Sequence, residues 1–262
     1  MAPLALNGKR LIVGIGSALV DILAHEEEEF LTKTGAAKGG MMLVDHHHEL
    51  EKILSSVSCK PSVVCGGSAC NTVMGVGRLG GKARFVGKCG KDELGDLFRR
   101  ALADNNIEAR LIHCGKNPTG RVLSVVTPDA QRSMFTFLGA SACTLPEEIS
   151  SMPVFEDAAV VHVEGYLLFN KDLIKTALES AKAAGAHVSL DLASYTVVDQ
   201  SREYLFELVE EYVDILIANE DEARSFTGET DEEKALSILA DHADIAVLKV
   251  GARGSYIHAE GK

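Results

Sequence analysis

The sequence predicts an α/β fold: a central, mostly parallel sheet with helices on both faces, plus a small β-rich insertion. Three observations carry this. From Ala158 onward, short apolar runs alternate with amphipathic stretches, the strand–helix repetition that builds a parallel sheet. Between Ala109 and Leu138 the helical period disappears. Short β-rich runs (ARLIHC, RVLSVVT, RSMFTFL) follow one another there, separated by the turn signals Asn117-Pro118 and Pro128-Asp129. Finally, Val63–Gly95 (VVCGGSACNTVMGVGRLGGKARFVGKCGKDELG) joins a strand end, a double glycine, an asparagine and a glycine-spotted helix. Core-building does not need that segment; a backbone passing close to a small polar ligand does.

The elements follow in order. Arg10–Gly16 is a short apolar run ended by glycines, a buried strand. Glu26–Lys33 is polar, and its glutamates read as a solvated face. Asp45 is placed to cap a helix through Glu49, Ile53 and Leu54. Ser62–Cys65 is a strand, Ser68–Leu79 a helix stopped by Gly80-Gly81, and Ala83–Gly87 a strand. In Asp92–Asn105, Leu94, Leu97, Phe98, Ala101 and Leu102 keep the helical spacing, with acids first and Arg99-Arg100 late. After the insertion come a strand at Ala158–Val163, a helix at Asn170–Ala184 with Gly185 at C′, and a strand at His187–Leu190. A helix at Ser201–Tyr212, a strand at Asp214–Ala218, helices at Glu220–Phe226 and Asp231–His242, and a strand at Asp244–Val250 complete the pattern.

Composition narrows the function. With 262 residues, 46% of them hydrophobic, the chain can bury a core. Its net charge of −12 repels phosphate backbones, and Trp is absent, so nucleic acid and anionic membrane are poor partners. The six cysteines form no CxxC pair and several lie in apolar runs, which reads as reduced, structural thiols in a cytoplasmic protein. The beginning of the chain carries no signal-peptide apolar region, and no apolar run is long enough to span a bilayer.

In open parallel sheets, ligands bind beyond the carboxyl ends of the strands. The residues that follow the apolar runs are Ser17 and Asp21; Gly66, Gly67 and Asn71; Glu164-Gly165; Asp191; Asn219, Glu220 and Glu222; and Lys249, Gly251 and Gly254. Their recurrence at one edge predicts a polar-lined cleft. Gly66-Gly67 admits a close ligand, Ser68 and Ala69 open a helix N-terminus, and Asn71 can donate and accept to a hydroxyl. Each alone fits an ordinary turn or cap equally well. Gly14-Ile15-Gly16 begins like a dinucleotide fingerprint, but Leu19 stands where the third glycine belongs, and no GxxxxGK[ST] occurs. His46, His47 and His48 are consecutive, so on a helix they point about 100° apart and cannot converge on one metal.

These residues resemble the ribokinase-like (PfkB) sugar and nucleoside kinases over essentially the whole chain. GGSACNTVMGVGRLGGKARFVGKCGKDELG resembles the first family signature, VGIGSALVD the opening strand with its substrate aspartate, Asn219-Glu220-Asp221-Glu222 the N-x-x-E motif, and LKVGARG the nucleotide-side segment. KGGMMLVD, PDAQRSMFTFLGAS and VEGYLL resemble most the adenosine kinase branch.

The resemblance implies a ribokinase-like core (residues 1–25, 46–108 and 141–262) under a β lid (26–45 and 109–140). It implies Ser17, Asp21, Gly40, Met42, Gly66, Gly67, Ser68, Asn71, Leu138 and Tyr166 as substrate-side residues. Arg132, Asn219, Lys249, Gly251 and Gly254 fall on the nucleotide and phosphate side, and Glu222 on Mg²⁺. It further implies ATP and Mg²⁺ as cofactors, a small-molecule sugar or nucleoside substrate with adenosine first, and a monomer or a lid-mediated homodimer. The family's second signature, D-T-x-G-A-G-D with its catalytic aspartate, does not occur. No catalytic base is therefore assigned in this chain. It is expected beyond Lys262, with the chain a C-terminally truncated fragment that is inactive alone. A ribose- or fructose-type sugar kinase, or an inactive binding module, are the alternatives.

Overall fold

The structure, a computed structural model, describes residues 4, 6 and 8–259. Its strands are β1 (Leu11–Ile15), β2 (Leu19–His25), β3 (Met41–Leu43), β4 (Ser62–Gly66), β5 (Lys82–Gly90), β6 (Ile107–Cys114), β7 (Gly120–Val126), β8 (Arg132–Phe137), β9 (Ala158–Glu164), β10 (His187–Asp191), β11 (Ile215–Asn219), β12 (Ile245–Lys249) and β13 (Ser255–Ala259). Its helices are α1 (Glu28–Thr34), α2 (His47–Ser55), α3 (Ser68–Arg78), α4 (Glu93–Asp104), α5 (Pro146–Ser150), α6 (Lys171–Ala183), α7 (Tyr195–Tyr212), α8 (Glu220–Thr227) and α9 (Glu232–Asp241).

The larger sheet has eight strands in the order β13-β12-β11-β10-β9-β1-β5-β6. All its pairs are parallel except the β12–β13 hairpin. Alternation along each strand decides what covers it. Val13, Val161, Val188, Leu190, Leu216, Ala218, Ala246 and Leu248 point to one face and join the largest core cluster with residues of α5 to α9. On the other face α3 and α4 cover β1, β5 and β6, where Phe85 and Phe98 meet at 5.3 Å between ring centroids. Gly14 lets α3 close on β1, since a Cβ there would stand 2.7 Å from Val73 Cγ1. Beyond β9 this second face carries Ile215, Ile217, Ile245 and Val247, half-buried, and exposed Ile257.

The smaller sheet runs β3-β8-β7-β2-β4. Its outer face packs on α1 and α2 through Phe30, Leu31, Leu50, Leu123 and Phe135. Its inner face looks toward the carboxyl ends of the larger sheet. The division between the sheets differs from the expected boundaries. β2, expected in the core, crosses over at Gly16-Ser17 and pairs with β7 along Leu19↔Gly120 to His25↔Val126. β4 pairs antiparallel with β2, so it and α2 also belong to the smaller sheet. β6, expected in the lid, is the parallel edge strand next to β5. Period-two alternation alone cannot say which sheet a strand joins.

Two local differences have physical causes, and the histidine run behaves as expected. α2 starts at His47 with His46 as N-cap, whose amide donates to Glu49 Oε2 at 3.4 Å; Asp45 lies one residue too early. His46 and His48 stack on each other while His47 meets Phe137 and Glu51, so the three rings share no centre. α7 begins at Tyr195 rather than Ser201, because its first turn buries Val197 and Val198, β-branched residues that read locally as strand. Among the described residues no helix is long and apolar enough to cross a membrane.

Asp92 ties the two sheets together. As N-cap of α4 it accepts from the Gly95 amide at 2.8 Å, and it also accepts from the Thr119 amide (2.7 Å) and hydroxyl (2.6 Å) just before β7. Burial alone would raise its carboxyl, but the bonds from Thr119 and Gly95 outweigh it and hold the group below the ordinary carboxylate range. A depressed folded-state value stabilises the fold above the unfolded value of about 3.9. That stability is lost as pH falls through the folded value. Asp92→Asn is expected to destabilise the chain by about 2 kcal/mol at neutral pH and to flatten the acid limb of the stability–pH curve. Urea denaturation across pH 3 to 7 checks this; an unchanged acid limb would refute the role given to Asp92.

Candidate functional site

β1 connects onward to strands on one side of the sheet and β9 to strands on the other. The strand order therefore reverses between them, and at such a point a crevice opens beyond the carboxyl ends. Ser17 follows β1, and Glu164 ends β9. The inner face of the smaller sheet roofs this crevice and encloses a cavity of about 320 Å³. Larger hollows exist at the amino ends of the strands, around Arg10 and Glu108 (about 560 Å³), and between α1 and α2 (about 800 Å³). Neither gathers strand-end polar groups, and the first is at the end of the sheet opposite to where ligands bind.

Glu164 anchors the crevice. It is 1% exposed. Its Oε1 accepts from the Ser17 amide at 2.7 Å and its Oε2 from the Ala69 amide, in the first turn of α3, at 3.0 Å. Burial pushes its carboxyl up, and the two amides offset this only in part. Gly67 precedes α3 at φ 93°, and a Cβ there would lie 2.5 Å from the Ser17 carbonyl. Only glycine fits that turn without strain. Ser68 then opens the helix and Asn71 follows one turn in, its amide bonded to the Gly67 carbonyl at 2.9 Å.

Asp21 stands on β2 opposite Val64 and Val122. Burial raises its carboxyl, and the Arg132 guanidinium partly offsets that. Gly66 makes room for it, because a Cβ there would collide with the Asp21 carboxylate. Of the residues expected on the substrate side, Ser17, Asp21, Gly67, Ser68, Asn71, Leu138 and Tyr166 line the cavity, and so does Arg132. Gly40 and Met42 do not. The Gly40 carbonyl accepts from the Met134 amide, and Met42 packs against the outer-face core. Their neighbours Met41 and Leu43 face the cavity instead, a one-residue slip that inverts the face on a strand.

Asn219, Glu222 and Lys249 lie apart from the cavity, at the ends of β11 and β12. Asn219 and Glu222 form a reciprocal cap: Asn219 Oδ1 accepts from the Glu222 amide at 2.9 Å, while Glu222 accepts from the Asn219 amide and Nδ2, both at 2.8 Å. Burial raises the Glu222 carboxyl; the Asn219 amide and Lys249 lower it. Lys249 donates to Asp191 Oδ2 at 2.6 Å. Gly251 and Gly254 (φ 56° and 98°) shape the exposed turn after β12.

The expected set missed several residues. Leu19, Val122, Met134, Thr136, Phe169 and Ala193 also line the cavity. Glu164 and Asp191 were visible only as strand-end acids. Ala193 holds φ 64°, strained for a residue with a Cβ, with its amide fixed by Asp191 Oδ1 at 2.9 Å. Nothing in the sequence around it signals that conformation.

A model of the pfkB family carbohydrate kinases matches residues 28–262. The chain belongs to that family. It is 32% identical to the adenosine kinase from Sinorhizobium meliloti, with a TM-score of 0.88 over 97% of this chain and 78% of that one. The same identity and TM-score relate it to a probable sugar kinase from Rhizobium etli CFN 42, over 97% of this chain and 77% of that one. It is 25% identical to the guanosine-inosine kinase of Escherichia coli (strain K12) across 94% of this chain, and spans 59% of that relative's length. The expected fold is therefore borne out for the family's mixed α/β sheet and its helices.

Glu164 gives the site's stability test. Glu164→Gln keeps the shape but turns a carboxamide NH2, a donor, toward one of the two amide donors. A loss of about 1–3 kcal/mol is expected, with faster hydrogen exchange at Ser17 and Ala69. If denaturation midpoint and exchange both stay put, the carboxylate does not tie these segments together.

Proposed function

We propose that the protein containing this chain transfers the γ-phosphoryl group of ATP to a primary hydroxyl of a ribonucleoside, adenosine first among them. One observation carries the reading: the cavity has two chemistries. Asp21, Asn71, Ser17 and Ser68 offer hydroxyl partners. Met41, Leu43, Val122, Met134, Leu138 and Phe169 add apolar surface to the same lining, with Val122 between Asp21 and Thr136 across the strands. A ribonucleoside has the same two chemistries, in a polyol and a flat base. A free hexose would set hydroxyls against some of that apolar surface, and each unpartnered hydroxyl costs free energy. The likeness to an adenosine kinase and to a guanosine-inosine kinase supports the same choice.

In this reading Asp21 accepts from the ribose hydroxyls, Asn71 bonds them from α3, and Arg132 meets negative charge that builds on the transferred group. The smaller sheet closes over the crevice and excludes water that would otherwise take the phosphoryl group. No residue of this chain is assigned as the catalytic base. Glu222, fixed by Asn219 on both its oxygens, is the residue of this chain that would hold Mg²⁺. Mg²⁺ needs only one or two protein carboxylates and takes its remaining ligands from water and phosphates. When bound, the ion supplies charge neutralisation at the phosphates.

Two other readings have an observation behind them. The likeness to a probable sugar kinase keeps a sugar substrate in view. The sequence, lacking D-T-x-G-A-G-D, keeps a binding-only chain in view. Thermal shift on this chain with adenosine, inosine, ribose and fructose separates nucleoside from sugar, since a ligand stabilises by mass action. Adenosine is expected to raise the midpoint and fructose not to. Asp21→Ala should cost about 1.5–3 kcal/mol of binding, roughly 10- to 150-fold in Kd. Stabilisation by fructose alone would overturn the nucleoside choice. Failure of the full-length protein to phosphorylate any of the four would overturn the kinase reading.

A further inference from the structure

Cys65 and Cys70 flank the glycine turn of the cavity. Cys65 is on β4 in the smaller sheet, half-buried; Cys70 is in the first turns of α3, buried. Their sulfurs are 3.5 Å apart. The four residues between them are Gly66, whose bare Cα seats the Asp21 carboxylate, Gly67, and Ser68 and Ala69, which begin α3. We propose that Cys65 and Cys70 are a thiol pair that a hydroperoxide oxidises to a disulfide, and that this bond locks the turn and weakens ligand binding in the cavity.

The order of events follows from access. Cys65 meets the oxidant first, because Cys70 is enclosed. The Cys65 contact and burial also hold the Cys70 thiol strongly protonated, with the acids Glu164 and Asp21 adding to this. The Cys65 thiolate attacks the peroxide O–O bond, giving a sulfenic acid and releasing water or an alcohol. The Cys70 sulfur then displaces the sulfenic hydroxyl as a second water, and the S–S bond forms. Two thiols lose two electrons and two protons, and the peroxide takes them. Bonding requires the sulfurs to close from 3.5 Å to about 2.05 Å. That draws β4 toward α3 through a turn with no slack on either side: Gly66 already abuts Asp21, and Gly67 abuts the Ser17 carbonyl. The bond also staples the smaller sheet to a helix of the larger one, so the roof can no longer move freely against the crevice.

The inference goes beyond the kinase reading, and its first two readouts need no substrate. The chain is treated with hydrogen peroxide, then mapped by mass spectrometry without reduction. The peptide holding Cys65 and Cys70 should lose the mass of two hydrogens and regain it with dithiothreitol. Hydrogen exchange at residues 66–71 should slow on oxidation. Adenosine binding, measured by calorimetry, should weaken about tenfold, within the range usual for coupling to a site. Cys65→Ser and Cys70→Ala should bind adenosine as the reduced chain does and ignore peroxide. Linkage to any of Cys59, Cys89, Cys114 or Cys143 instead, or a Cys65–Cys70 bond that leaves exchange unchanged, overturns the proposal. Should adenosine bind neither form while the bond and the exchange change appear, the nucleoside choice falls and the thiol pair stands.

Discussion

The carboxylate of Glu164 takes one amide from each of two segments that cross between the sheets. Ser17 leaves the larger sheet for the smaller one, and Ala69 returns from it into α3. A side chain with two acceptor oxygens in one plane gives each amide its own oxygen. Gly16 has to lack a side chain, since a Cβ there would run into the same carboxylate. Enclosing a charge is unfavourable. Two charge-assisted bonds and the unpaired amides at the start of α3 offset that cost. Burial still prevails, which is why the carboxyl is displaced upward.

The rest of the cavity depends on this junction. With Ser17 fixed, β2 leaves at a set angle and brings Asp21 inward; with Ala69 fixed, α3 starts where Ser68 and Asn71 reach the same space. Gly66 and Gly67 are the spacers that let the two meet without collision. Asp92 provides a second junction on the far side, between α4 and the loop that leads into β7. Two buried or half-buried acids, each bonded to amides on both sides of a sheet boundary, thus set how the smaller sheet sits over the larger.

Features that rest on local chemistry were legible in the sequence. The spacing of Leu94, Phe98 and Leu102 and the Gly185 stop appear where expected. So does the glycine turn before Asn71, because few other segments need two adjacent residues without side chains. Features that rest on partner choice were not. β2 and β6 carry ordinary strand patterns, and only long-range pairing assigns them to opposite sheets. Met41 and Leu43 rather than Met42 face the cavity because register, not composition, decides the face. Glu164 was visible as an acid after a strand, but its role as a two-amide acceptor needs Ala69 to return from 95 residues away. Ala193 gave no signal, since its left-handed backbone is imposed by Asp191.

The strand-end cluster has an electrostatic consequence under the kinase reading. Asp191 and Glu222 are two acids, Lys249 is one cation, and Asn219 is neutral. Lys249 is already engaged by Asp191, and Glu222 is held in place by Asn219 on both its oxygens. The cluster is therefore acidic when both carboxyls are ionised, in a chain whose formal charge is −12. A polyphosphate approaching it alone would meet net repulsion and would have to draw Lys249 away from Asp191. A divalent cation would remove both obstacles by neutralising the acids and offering the phosphates a partner of opposite sign. The Asn219–Glu222 cap then serves two ends at once. It starts α8, and it holds a buried carboxylate in place at the end of β11.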